Sequence, residues 1–302
     1  MFDAGAGCGT GRGDHPTCHQ PGQDLGEHHF WAQALSTNSR LDGAFQSNRF
    51  DGGGIALGGD VALGGQARVG VALGHSGITT RTPALASSVR SQYNMLAAYA
   101  DYQRGAWYIG GVLSYASGWS YADRTLRLGG SGTQTISGKP DATSTALQLS
   151  SGFILPLGKR GFVQPYGDVM VASSSQQAYR EYGSDALALQ YGRIGQSRYR
   201  GELGVKLGAS FQHGTATLQP YVGLAEANAW GDRQPVAQVG FVDAPGTSFQ
   251  IRGNGVPRSW LNGEAGVQAK IGRSTRVNVS YQGALSGPMH DDYVSAGIAW
   301  RF

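Results

Sequence analysis

Eight charged side chains stand out in the body of the chain: Asp60, Asp168, Glu202 and Glu264, with Arg68, Lys206, Lys270 and Arg276. Carboxylates brought close together could activate water. Interleaved with cations, they could equally form ion pairs that line water or restrain a plug. Covalent or hydrolytic catalysis needs a nucleophile or water-activating pair within hydrogen-bond reach. The seven histidines offer little toward one. His15, His19, His28 and His29 precede or open the first extended segment, His75 sits high on a strand, His213 in a tight turn and His290 in a loop. None has a Ser or Asp partner at a telling spacing, so no catalytic residue is assigned. Cys8 and Cys18, the only cysteines, read as a small local disulfide or two free thiols. His15 and His19 lie nearby, but no zinc spacing joins them, so neither metal nor cofactor is expected. Arg12-Gly13-Asp14 reads as a solvated loop rather than an adhesion motif. The glycine-rich stretch Gly5 to Gly13 lacks the strand before it and the helix after it that a phosphate cradle needs.

The eight charges share a parity. Leu261, Gly263, Ala265, Val267, Ala269 and Ile271 alternate with Asn262, Glu264, Gly266, Gln268 and Lys270. Val277, Val279, Tyr281 and Leu285 oppose Arg276, Asn278, Ser280 and Gln282; Leu203, Val205 and Leu207 oppose Glu202 and Lys206. Ile55, Leu57, Val61 and Leu63 oppose Asp60, while Val69, Val71 and Leu73 oppose Arg68. Successive strand side chains point to opposite faces, so each segment has one apolar wall and one polar or small wall. Both walls are dotted with glycine and the segments are long. That combination favours lipid, rather than a packed protein core, against the apolar wall.

Connections set the architecture. Tight links are readable at Gly64-Gly65, Arg104-Gly105, Gly158 to Gly161, His213-Gly214 and Gly272 to Ser274. Longer polar stretches fall near 38–50, 80–90, 124–141, 179–192 and 231–256; only Ser286 to His290 is short where a long link is due. The expected strands are 29–37, 50–63, 66–79, 91–103, 106–123, 142–157, 161–178, 193–212, 215–230, 257–271, 274–285 and 291–302. This is an all-β fold, a closed antiparallel transmembrane β-barrel of about 12 strands, with both ends on the periplasmic side of a bacterial outer membrane. Two segments echo each other, Phe162-Val163-Gln164-Pro165-Tyr166 and Thr217-Leu218-Gln219-Pro220-Tyr221, each opening a strand after a tight turn.

Composition agrees. Charged residues make up 15% of the 302 residues, against 49 Gly, 14 Tyr and 6 Trp, which suits a sheet hiding polar side chains inside. Mean hydropathy is -0.27 because the two walls cancel. No apolar run approaches the 20 or so residues of a membrane helix. The net charge of +4 is not arranged as a basic stripe, so nucleic acid is not an expected partner. Met1 opens no signal peptide, which implies that a longer precursor precedes this sequence.

The sequence ends on an alternating strand with Val294, Ala296, Ile298, Trp300 and Phe302 on one face. It looks like the signal read by outer-membrane assembly machinery, and it also fits an interfacial aromatic girdle. Phe30-Trp31-Ala32-Gln33, Gly53 to Leu63, Ala67 to Gly74, Arg200 to Gly208, the two Gln-Pro-Tyr segments and the terminal strand together resemble the monomeric autotransporter β-domain over 29–302. The resemblance implies a monomeric, non-catalytic translocator of type V secretion that anchors and helps export an N-terminal passenger. Its partners would be outer-membrane lipid and lipopolysaccharide, the barrel-assembly machinery, periplasmic chaperones and its own passenger or linker.

The eight charges would then line the pore. Some members cleave their linker with acidic lumen residues, but here the charges read as paired wall groups. Residues 1–28 depart from the family: they are Gly/His-rich, without the 3.6-residue apolar period of a pore helix, and read as a flexible linker or passenger remnant. A porin-like channel, an adhesin acting through loops, and an outer-membrane hydrolase remain the alternatives.

Overall fold

A computed structural model describes residues 28–44, 46–127, 132–184, 186–244, 246–272 and 274–301. Twelve long strands follow in order: β1 His28–Asp42, β2 Ser47–Leu63, β3 Ala67–Thr82, β4 Ser87–Arg104, β5 Trp107–Arg127 and β6 Asp141–Phe153, then β7 Gly161–Gln176, β8 Ile194–Ala209, β9 Ala216–Gly231, β10 Ser259–Ile271, β11 Thr275–Ser286 and β12 Met289–Arg301. Each pairs antiparallel with its successor. β1 also pairs with β12, from His29 opposite Arg301 to Leu41 opposite Met289, which closes the ring. Closure leaves no lipid-exposed edge whose N–H and C=O groups would lack partners.

The two walls separate as the alternation requires. Leu203 and Leu224 remain 74% and 69% exposed, and Leu57, Val71, Leu73, Leu96 and Leu261 join them on the outside. Arg68 and Lys206 are 1% and 2% exposed on the inside. A water-soluble protein sorts its residues the other way. Exposed aromatics flank the apolar band: Phe30 stacks on Trp300 with ring centroids 6.3 Å apart at the end bearing the termini, and Trp119, Tyr121, Tyr199 and Trp230 lie toward the other. No helix among the described residues is long and apolar enough to cross a membrane.

At the end bearing the termini the strands turn within two or three residues. Gly64, Gly65, Gly105, Gly158, Gly214 and Gly272 all hold φ between +59 and +72°, a region that costs glycine nothing. β6 and β8 are each broken near this rim by one residue. Ile154 donates its N–H to the Ala106 carbonyl and Ser210 to the Arg160 carbonyl, both at 2.8 Å, before Leu155–Leu157 and Phe211–His213 resume pairing. The register is the same on both sides of each break, so the expected runs 142–157 and 193–212 continue as single ladders with no residue inserted.

The far end differs from expectation in length. β1 and β2 remain paired as far as Asp42 and Ser47, and β3 and β4 as far as Thr82 and Ser87 around a short 3-10 turn, Pro83–Leu85. The stretches 38–50 and 80–90 are therefore mostly strand. Above the membrane both faces meet water, so the apolar alternation vanishes while the ladder continues. The remaining links build a cap. Thr133–Gly138 pairs with the top of β5, and a four-stranded sheet is formed by Tyr179–Arg180, Leu189–Tyr191, Val236–Phe241 and Phe249–Arg252. A bridge between Ser137 and Tyr182 joins the two, and Leu189, Ala237 and Val239 form the cap's own small core.

Candidate functional site

The inward wall carries two polar clusters. The first spans β1 to β4. The Asp60 carboxylate accepts from Arg68 Nη1 at 2.8 Å and from the Tyr99 hydroxyl at 2.9 Å, and His29 Nδ1 lies 3.2 Å from it. The Trp31 indole in turn donates to the Tyr99 oxygen at 2.7 Å. Asp101 sits opposite Arg68 across β3 and β4, is buried, and its Oδ2 has no hydrogen-bond partner among the described residues.

The second cluster runs across β6 to β10. Tyr166 and Asn262 donate to the two oxygens of Glu202 at 3.0 and 2.7 Å. Gln148 donates to Asp168 at 2.6 Å, and Arg200 approaches the same carboxylate at 3.5 Å. Lys206 Nζ lies 2.9 Å from Glu264, a pair held by charge rather than by an aligned hydrogen bond. Tyr221 donates to the other Glu264 oxygen at 3.0 Å. The ammonium also sits 5.6 Å from the centre of the Tyr166 ring and 5.3 Å from that of Tyr221, within cation–π range.

The echo between the two Gln-Pro-Tyr segments thereby acquires a structural meaning. Their tyrosines stand on β7 and β9, either side of β8, and clamp the lysine between them. Three inward tyrosines each donate to a carboxylate, and each lies over a glycine on a neighbouring strand. A Cβ added at Gly70 would stand 2.3 Å from the Tyr99 ring, at Gly204 2.6 Å from Tyr166, and at Gly266 2.6 Å from Tyr221. Glycine is needed there because the ring occupies the space of the missing side chain.

Of the eight charges singled out by parity, the structure brings Asp60 to Arg68 and Lys206 to Glu264. Glu202 and Asp168 join the second cluster through Tyr166, Asn262, Gln148 and Arg200. Lys270 and Arg276 face each other across β10 and β11, a direct like-charge pair that parity could not foresee. Sequence reasoning missed His29, Tyr99, Asp101 and Arg200 as members of these clusters. The alternation of β4 and β8 carried the signal for three of them, and His29 falls on the same face as Gln33. Val294, Ala296, Ile298 and Trp300 lie along β12, where Val294, Ala296 and Trp300 are exposed; Phe302 lies outside the described residues. So do Cys8, Cys18, His15, His19 and Arg12-Gly13-Asp14. No group of three or more His, Cys, Asp or Glu among the described residues could hold a metal ion.

Outside the membrane band, Arg124 donates to both Glu181 oxygens, at 2.9 and 2.7 Å, and to the Leu187 carbonyl at 2.6 Å, pinning the cap to the top of β5. The carboxylate raises the Arg124 pKa further. Burial, then the nearby Glu181 charge, pushes the Tyr191 phenol up to about 12; it stacks flat on Tyr179 at 4.6 Å.

The family model of the Autotransporter beta-domain matches residues 30–282. An extracellular serine protease of Serratia marcescens is 23% identical over 278 residues, 90% of this chain but only 26% of that protein. The translocator domain of autotransporter NalP from Neisseria meningitidis superposes with a TM-score of 0.70 at 17% identity, covering 92% of this chain and 90% of that one. The beta domain of the Bordetella autotransporter Brka gives 0.69 at 17% identity, over 91% and 100%. Closed ring, inward charge and family match agree: the chain belongs to the autotransporter β-domain family of outer-membrane barrels.

Proposed function

We propose that this barrel anchors an N-terminal passenger in the outer membrane and that its lumen carries the passenger's linker to the cell surface. The observation that carries the reading is the inverted wall. Arg68, Asp60, Glu202 and Lys206 are buried inside a ring whose outside is apolar, so the ring offers a polar route through a layer that admits none. A ring of this size suits one helix or one extended chain. On this reading the pore wall includes Asp60, Arg68, Asp168, Glu202, Lys206, Glu264, Lys270 and Arg276. Residues 1–28 form the linker or passenger remnant ahead of a barrel at 29–302. The face of Val294, Ala296, Ile298, Trp300 and Phe302 is the assembly signal, read by barrel-assembly machinery after delivery by periplasmic chaperones, and the finished monomer sits among lipid and lipopolysaccharide.

The protein performs no chemistry of its own on this reading. The word protease belongs to relatives of which this chain spans about a quarter, and the proposal gives that activity to their passengers. The test is a signal peptide and a reporter domain fused ahead of Met1, with whole cells exposed to external protease. The reporter is expected to be digested while the barrel stays protected. A reporter that stays inside the cell although the barrel is folded in the outer membrane would overturn the proposal.

A further inference from the structure

The strand registers align three arginines on the outer wall of the barrel. Arg40 on β1 stands directly opposite Arg49 on β2, and Arg49 directly opposite Arg81 on β3. All three are exposed, on the same outward parity as Phe30 of β1, Ile55 and Leu57 of β2, and Val71 and Leu73 of β3. Facing side chains on neighbouring strands start about 5 Å apart, and like charges placed so repel. Two carboxylates relieve the row in part. Asp42 accepts from Arg40 Nε at 2.8 Å, and Asp51 from Arg81 Nη1 at 2.7 Å. Arg49, between them, has no carboxylate within ion-pair distance among the described residues. A positive charge in excess therefore sits at the centre of three guanidinium groups.

The height of the row identifies its neighbour. It lies at the end away from the termini and the tight turns, the external end of an outer-membrane barrel. Arg49 is six residues beyond Ile55, the last apolar outward side chain of β2, which is about 20 Å along the strand. With strands tilted by about 40°, the row stands roughly 15 Å above the hydrocarbon. Arginine stems lie down along a wall, which brings the charged heads closer to the lipid. Two outward rows below, Ser36, Gly53 and Gly77 stand side by side and leave the wall nearly bare. A Cβ added at Gly77 would meet nothing nearer than 3.9 Å, so packing does not demand that glycine. The lipid of the outer leaflet, lipopolysaccharide, carries phosphates on the sugars just above its acyl chains. A guanidinium fork matches a phosphate with two parallel charge-assisted bonds.

We propose that Arg40, Arg49 and Arg81 form a binding site for the sugar-linked phosphates of lipopolysaccharide, with Arg49 at its centre and the bare row beneath receiving the sugars. This rests on the outer-membrane placement in the translocator reading and adds to it one defined lipid site on β1 to β3.

The full chain, folded in zwitterionic detergent with EDTA to remove bridging cations, is titrated with four probes. These are lipopolysaccharide, the same lipopolysaccharide stripped of phosphate, phosphatidylglycerol and inorganic phosphate. Saturable binding is expected for intact lipopolysaccharide, and Arg49→Gln should weaken it about tenfold, the effect of losing one charge-assisted contact. The triple variant Arg40→Gln, Arg49→Gln, Arg81→Gln should abolish it. Gly77→Leu keeps every charge but fills the recess, and should weaken binding as well. Heat-modifiable gel migration confirms that each variant is folded.

Unchanged binding by the folded triple variant would overturn the site. So would equal affinity for the dephosphorylated lipid or for phosphatidylglycerol, or binding of inorganic phosphate alone. A barrel that ignores lipopolysaccharide yet exports a fused reporter would end this inference and leave the translocator function standing. Arginine-dependent binding with no export would do the reverse.

Discussion

Lys206 is the residue on which the charged wall is most concentrated. It is buried, 2.9 Å from Glu264 and faced by two tyrosine rings. Removing one member of a buried pair leaves the other charge uncompensated, at a cost of about 3–5 kcal/mol. Lys206→Met is therefore expected to lower the unfolding midpoint of the barrel in detergent, and Lys206→Met with Glu264→Met to recover most of the loss. A double variant as unstable as the sum of the singles would show that the two do not act as a pair. Asp60→Asn should cost a similar amount, because Arg68 beneath it is 1% exposed. The same denaturation curve reads it. Parity placed all eight charges on one face in the sequence, because a period of two needs no tertiary knowledge. Their partners were not legible. Which of Arg68, Arg200 or Lys206 meets which carboxylate depends on the stagger between strands, and Tyr99 donates to Asp60 from two strands away. The tyrosines read as aromatics; only register shows that their hydroxyls serve carboxylates.

The strands are held by fit between glycine and aromatic rings as much as by their ladders. Gly70→Ala should push the Tyr99 ring off its seat and its hydroxyl off Asp60, costing about 1–3 kcal/mol as an overpacked contact does. Gly263→Ala, with nothing within 4 Å of the added carbon, should change the unfolding midpoint little. Equal effects at both sites would remove the packing explanation. At the outer end, Glu181→Gln should loosen the cap from β5 and speed tryptic cleavage after Arg180, with the barrel strands still protected; unchanged digestion would contradict the role given to Arg124. Burial favours the neutral phenol of Tyr191, so its contribution is complete below about pH 10 and lost as the pH climbs through about 12. Tyr191→Phe should abolish that alkaline loosening of the cap in the same digestion assay. Tight turns were readable because glycine at positive φ is a local requirement. The cap was not, since its short strands come from separate loops and meet only once the barrel has brought those loops together.

At the scale of the whole molecule, closure follows from what surrounds it. Lipid offers no hydrogen bonds, so the sheet ends only by meeting itself, β1 on β12. The polar interior is the surface that such a ring can give a passing chain. The whole account depends on which wall meets lipid. In a Cys8→Ser and Cys18→Ser background, single cysteines at Leu96, Ala97 and Ala98 would carry an environment-sensitive fluorophore in barrels reconstituted into vesicles containing lipid-attached nitroxide quencher. The account predicts strong quenching at 96 and 98 and weak quenching at 97. Uniform quenching at all three positions, or the opposite alternation, would contradict it.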